Sequence, residues 1–221
     1  RVETSFGCRT FEIDPDKGFI LNGEPHMLRG VAMHQDRDGV GNAVTPVMLH
    51  EDISMIAEMG ANTIRLSHYQ HSQYTLELCD RFGMVVWAEV PYISKHMDGG
   101  RENILSQLQE LVVQCCNHPS IVVWGIGNEI TMRTGQNHAA VDENMQALHD
   151  LAHRLDPSRL TVTASDYSVE HDDTALGIPD VISRNLYYGW YYGDQADLAK
   201  TMDEWHRLCP ERCIGLSEYG A

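Results

Sequence analysis

The chain has 221 residues, with 32 acidic and 16 basic side chains, a formal net charge of -16 and a hydrophobic share of 43%. That is enough for one large domain, or two small ones, with a sizeable core. The acidic balance argues against nucleic acid as a partner, which relies on basic patches. No apolar stretch approaches the roughly 18 residues needed to cross a membrane, so no membrane partner is expected.

Residues 8–21, CRTFEIDPDKGFIL, hold two short alternating runs around Asp16, Lys17 and Gly18, the mark of a hairpin, and Asn22-Gly23 adds a second turn. Apolar runs then recur at 27–33, 62–66, 84–88, 121–126, 160–163, 181–186 and 213–216. Between them, amphipathic stretches near 47–59, 73–82, 101–116, 138–155 and 195–207 read as helices. Thr45 and Pro46 form a start signal for the first of these. Gly60 and Gly83 stand where the glycine after a helix belongs, and Asp156-Pro157 ends the fourth helix. The connection between the fifth and sixth apolar runs has no clear helix.

Strands alternating with helices predict a parallel sheet covered on both faces. A doubly wound sheet and a (β/α)8 TIM barrel both fit that alternation. The glycine-rich dinucleotide fingerprint is absent after the first run, where Val31 leads into Ala32, Met33, His34, Gln35 and Asp36. This favours the barrel, whose chemistry comes from the ends of many strands. It also disfavours a nucleotide-dependent oxidoreductase.

The six cysteines, at 8, 79, 115, 116, 209 and 213, fit no zinc spacing and read as reduced structural thiols. His149 and His153, four apart on the fourth helix, lack a visible third ligand, so no metal is expected there. The pair His68 and His71 gets the same reading. Residues 1–10 are mixed and polar, with no signal-peptide pattern. Because the chain opens at Arg1 without a Met, a segment upstream is allowed; the cytoplasm is favoured, and a secreted or periplasmic location stays open.

Two apolar runs stop on a carboxylate: IVVWGIGNE closes on Glu129, and CIGLSE closes on Glu218. Carboxylates are rarely buried without a partner. Two at strand ends suggest one shared pocket and acid–base or nucleophilic work, and glycoside cleavage needs such a pair. The other runs also end on polar groups: His34 and Asp36; Arg65, Ser67 and His68; Glu89; Asn128; Asp166; Asn185, Tyr187 and Trp190; Tyr219. In a parallel barrel all these ends open on one face. Asp166 reads as a solvated loop acid and is left out of the site.

With these residues in place, the chain resembles the catalytic TIM-barrel domain of glycoside hydrolase family 2. The resemblance rests on GVAMHQD at 30–36, GANTIRLSHYQHSQYTLELCDRFGMVVWAEVPY at 60–92, HPSIVVWGIGNE at 118–129, NLYYGW at 185–190 and LSEYGA at 216–221. It implies that Glu129 is the general acid/base and Glu218 the nucleophile of a reaction that retains anomeric configuration. Glu129 should then have a raised pKa, and Glu218 should be ionised among donors, with Arg65 and Tyr187 the natural candidates. By resemblance, Asn128 holds the sugar 2-hydroxyl. His34, His68, Glu89 and Asn185 shape the site or touch sugar, and Trp190 offers a flat face to a ring. Scaffold roles for His34, His68, Glu89 and Trp190 are the competing readings.

The resemblance also implies that 1–9 is a remnant of a preceding β-sandwich domain or linker, and that 10–221 is a partial barrel of about seven β/α units. Such a barrel has open edges through which copies could pair, and the chain alone is expected to have weak activity or none. No cofactor is expected, and no metal, since EVPYISKH at 89–96 lacks the second acid of the magnesium-binding β-galactosidases. The substrate is expected to be a carbohydrate, with terminal β-galactosides first. β-Glucuronidase and β-mannosidase are alternatives within the family, and a noncatalytic carbohydrate-binding module is the alternative outside it. The Asn-x-Lys that reads a glucuronide carboxylate lies beyond Ala221 in the family, so it does not discriminate here.

Overall fold

A computed structural model describes residue 3, residues 5–132, residue 135 and residues 137–220. A three-stranded antiparallel sheet comes first, formed by β1 (Phe11–Asp14), β2 (Gly18–Leu21) and β3 (Glu24–Pro25). Seven parallel strands follow: β4 (Gly30–Met33), β5 (Thr63–Leu66), β6 (Val85–Glu89), β7 (Ile121–Asn128), β8 (Leu160–Ser165), β9 (Val181–Asn185) and β10 (Cys213–Glu218). They pair in chain order, from β4 at one edge to β10 at the other. The sheet curls until β10 comes within 8 Å of β4, Cα to Cα, as a TIM barrel requires.

The helices are α1 (Pro46–Glu58), α2 (Gln73–Phe82), α3 (Arg101–Cys115), α4 (His138–Leu155) and α5 (Gln195–Leu208). Each has a local cause. Thr45 caps α1 by accepting from the Met48 amide, with Pro46 in the first turn, where its missing N–H costs nothing. Ser72 caps α2 in the same way, and Gly83 ends that helix at φ +67°, which glycine adopts without strain. Val141, Met145, Leu148 and Ala152 recur at helical spacing and form the buried stripe of α4. The connection from β8 to β9 carries only a short 3-10 helix, Thr174–Gly177, as its weak pattern foreshadows.

Alternation along the strands divides the side chains between two cores. On β6, Val86 and Ala88 face the helices, where they join Ile64, Leu66, Leu108 and Trp124. Cutting a fully buried side chain such as Leu108 back to alanine in such a core costs about 2–5 kcal/mol. Val85 and Trp87 face the barrel interior instead, and Phe19 of the hairpin packs against Val85, Val122, Val123 and Val162 there. The hairpin therefore closes the end of the barrel where the strands begin. The opposite end, where they finish, is left for the polar groups.

One boundary differs from the sequence pattern. The run at 27–33 becomes a strand only from Gly30, and Met27 and Leu28 are exposed at 71% and 41%. These two residues lie before the register begins at the Gly30–Thr63 pairing, so their apolar character has no sheet face to fill. All six cysteines are free; Cys79 and Cys115 are buried, and Cys8 and Cys116 are exposed. No helix among the described residues is long and apolar enough to cross a membrane.

Candidate active site

The strand ends deliver their side chains to one place, and Arg65 organises it. Arg65 is 4% exposed. It donates from Nε to Glu89 Oε2 at 3.0 Å and from Nη2 to Glu89 Oε1 at 3.1 Å, a two-point grip on one carboxylate. Nη1 reaches Glu218 Oε1 at 2.6 Å, and Nη2 reaches Asn128 Oδ1 at 2.7 Å. The guanidinium also lies 4.6 Å from the centroid of the Trp87 ring. Glu89 is 1% exposed, and its Oε1 is further paired with His68 Nδ1 at 2.7 Å. A carboxylate this deep is tolerable only because both oxygens are paired.

Glycine makes the approach possible. Gly125 on β7 pairs with Glu89 in register. A Cβ at Gly125 would come within 2.3 Å of Glu89 Cβ and 2.4 Å of Trp87 Nε1. Any larger residue at this point of the strand displaces the partners of Arg65.

Glu218 accepts from Tyr187 Oη at 2.6 Å as well as from Arg65, and His68 Nε2 is 3.9 Å from Oε1. Glu129 sits differently. Its Oε1 accepts from Asn185 Nδ2 at 2.9 Å, and among the described residues no arginine pairs with it. Burial is the largest influence on it and raises its pKa above the ordinary carboxylate value. The Asn185 hydrogen bond opposes that rise, while the charges of Glu218 and Asp166 add to it. Burial, and then the hydrogen bond to Glu218, push the Tyr187 hydroxyl up, so it stays a donor.

Asn185 joins the two halves. Its Nδ2 also lies 3.3 Å from Asn128 Oδ1, and its Oδ1 accepts from Ser217 Oγ at 2.7 Å. Neighbours on a strand point to opposite faces, yet Asn128 and Glu129 both serve this cluster. Two backbone features allow it: the register of β7 shifts between Gly125 and Gly127, and Glu129 has φ +50°. A non-glycine residue in the left-handed region costs of order 1–3 kcal/mol and persists where the surroundings impose it. Here the Glu129 amide is tied to Ala164 O at 2.7 Å.

The remaining expected residues lie around this centre. His34 packs edge-on against His68, with ring centroids 5.2 Å apart, and its Nδ1 is 3.4 Å from Tyr69 Oη. Trp190 is 60% exposed and touches Tyr191; it is not part of the core and is not among the residues lining the cavity. Asp166 is not the solvated loop acid expected from the sequence. It is 2% exposed, and its Oδ1 accepts from the Ser168 amide at 2.9 Å and from the Ser168 hydroxyl. Its position directly after β8, like Glu129 after β7, was the available signal. Ser217 was also missed. A cavity of ≈ 1160 Å³ is lined by Arg65, His68, Tyr187 and Glu218 at one end and by Val85, Val122, Val123 and Val162 inside the barrel at the other, and Glu129 is not among its lining residues.

A parallel barrel whose strand ends gather two glutamates in opposed surroundings has the build of a glycosidase domain. Residues 12–221 match the family described as glycosyl hydrolases family 2, TIM barrel domain, and the chain belongs to that family. A β-glucuronidase of Bacteroides fragilis is 42% identical over 229 residues, covering 100% of this chain and 32% of that protein. A β-glucuronidase of Sus scrofa is 35% identical over 228 residues, covering 97% of this chain and 34% of that protein. The crystal structure of an FMN-binding β-glucuronidase from Facaelibacterium prausnitzii L2-6 superposes with a TM-score of 0.94 at 40% identity, over 98% of this chain and 34% of that one. The chain therefore spans about a third of the length of the curated relatives it matches.

Proposed function

We propose that this chain is the catalytic barrel of a retaining β-glycosidase whose sugar is a β-linked glucuronide. The observation that carries the chemistry is the contrast between the two glutamates. Glu129 has its pKa raised by burial, whereas Glu218 is held by donors from Arg65 and Tyr187. In this reading Glu129 starts protonated and Glu218 ionised. Glu218 attacks the anomeric carbon as Glu129 gives its proton to the glycosidic oxygen, and the bond to the leaving group breaks to release an alcohol. Glu129, now a carboxylate, takes a proton from water. That water oxygen attacks the anomeric carbon and frees Glu218, and Glu129 is protonated again.

The other assignments follow from their bonds. Asn128 Oδ1 is engaged by Arg65, leaving its amide nitrogen as the donor for the sugar 2-hydroxyl. Asn185 steadies Glu129, and Tyr187 steadies Glu218. Glu89 is saturated by Arg65 and His68, which suits a residue that positions Arg65 from beneath. His34 lines the cavity beside His68. For the substrate, the β-galactoside expectation from sequence yields to its alternative, because the relatives that match across almost the whole chain are named β-glucuronidase. Pairing of copies through β4 and β10 remains part of the reading, and light scattering on the purified protein tests it.

Kinetics on nitrophenyl β-glucuronide, β-galactoside and β-mannoside test the sugar. The expected result is a kcat/KM for the glucuronide at least about 100-fold above the others, a difference of about 2.7 kcal/mol in transition-state binding. A preference for the galactoside removes the glucuronide assignment and leaves the glycosidase chemistry. Activity on all three that survives both Glu129→Gln and Glu218→Gln removes the chemistry as well.

A further inference from the structure

Away from the active site, the described residues hold a second group of ligating side chains. His149, His153 and Asp180 offer ligand atoms that all lie within 4.8 Å of one another. The sequence alone rejects a metal here for want of a third ligand, and the fold supplies one. His149 and His153 stand one turn apart on α4, with ring centroids 4.6 Å apart. Asp180 comes from the residue before β9, and its Oδ2 meets His153 Nε2 at 2.8 Å.

Thr161, at the start of β8, binds this carboxylate from two atoms. Its amide donates to Asp180 Oδ2 at 2.7 Å and its hydroxyl donates at 3.0 Å. The same hydroxyl lies 2.8 Å from His149 Nδ1. Threonine thus fixes both the carboxylate and one imidazole, as the outer partners of metal ligands do. All three ligands are half-buried, open enough for an ion to enter and dry enough to hold it.

We propose that His149, His153 and Asp180 form a zinc site, with water completing a four-coordinate shell. Two imidazoles and a carboxylate suit zinc among the available divalent ions, and three protein ligands plus water is a common zinc arrangement. Zinc replaces the direct His153–Asp180 hydrogen bond with two bonds to the ion. The site lies where β8 and β9 begin, at the end of the barrel opposite Glu129 and Glu218. Its role is to fasten α4 to the sheet, with no part in glycoside cleavage.

The test uses untagged protein stripped with a chelator and titrated with zinc chloride. Calorimetry should show a saturable site at one zinc per chain, lost in His153→Ala and in Asp180→Asn. With free zinc at about 100 times Kd, the melting temperature should rise by roughly 5–10 °C in the wild type and not in the variants. Cobalt(II) gives a readout that needs no variant: in the wild type it should broaden the ring proton signals of His149 and His153. No saturable zinc binding, binding that survives both substitutions, or cobalt that leaves those two rings sharp overturns the proposal and leaves a plain hydrogen-bonded cluster.

Discussion

Arg65 and Glu218 are 153 positions apart in sequence and meet in a 2.6 Å ion pair inside the barrel. The same guanidinium grips the buried Glu89, so one cation serves two carboxylates of different standing. Glu89 is fully enclosed, whereas Glu218 opens onto the cavity. This arrangement holds Glu218 against a cationic donor while the deeper pair with Glu89 offsets the cost of burying the arginine.

Replacing Arg65 therefore has two effects. Arg65→Ala strands Glu89 as a buried, uncompensated charge, which costs about 3–5 kcal/mol of stability. It also removes a donor from Glu218, which costs about 100- to 1,000-fold in kcat. Arg65→Lys keeps the charge but cannot grip Glu89 at two points while reaching Glu218, so it recovers stability only in part. Urea denaturation and steady-state kinetics on the same samples separate the two effects. Equal stability in wild type and Arg65→Ala would rule out the buried pairing.

The pH profile reports the environment of Glu129. A raised pKa keeps the acid form populated to higher pH, so the basic limb of kcat/KM is set by loss of that proton. Asp166 contributes to the rise through its charge. In Asp166→Asn the ionised form of Glu129 becomes easier to reach and its pKa falls. The basic limb then moves to lower pH, while burial, the larger cause, preserves part of the elevation. A limb that stays in place or moves upward contradicts this coupling.

Gly125 is a steric prediction. With a Cβ only 2.3 Å from that of Glu89, Gly125→Ala must push β6 and β7 apart or rotate Glu89 away from Arg65. Overpacking of this kind costs typically about 1–3 kcal/mol, and activity should fall with it. Gly177→Ala is the control, because a Cβ there meets nothing within 4 Å. Similar melting temperatures for the two variants would refute the close approach.

Much of this was readable from the chain. The apolar runs and helical stretches fell within a few residues of the observed elements because the central strands β5 to β9 are largely buried and helices such as α1 and α2 carry their own start or stop signals. The residues at 34, 65, 68, 89, 128, 129, 185, 187 and 218 were readable for a related reason: a polar group at the end of a buried strand has few other places to go. What stayed hidden depends on neighbours distant in sequence. The burial of Asp166 follows from how its loop folds onto Ser168, and the third ligand beside His149 and His153 comes from the approach to β9. The left-handed backbone at Glu129 follows a register shift earlier in β7, and no local residue choice announces either. The sugar was the least legible part: the sequence put β-galactosides first with β-glucuronides as an alternative, and the named relatives favour the alternative.

The account turns on which carboxylate forms the bond to sugar. The direct measurement is to treat the protein with an activated 2-deoxy-2-fluoro-β-glucuronide, digest it and locate the adduct by mass spectrometry. The expected product is a covalent sugar ester on Glu218, formed one per chain as activity is lost. An adduct on Glu129 or Glu89, or complete inactivation with Glu218 unmodified, would contradict the account.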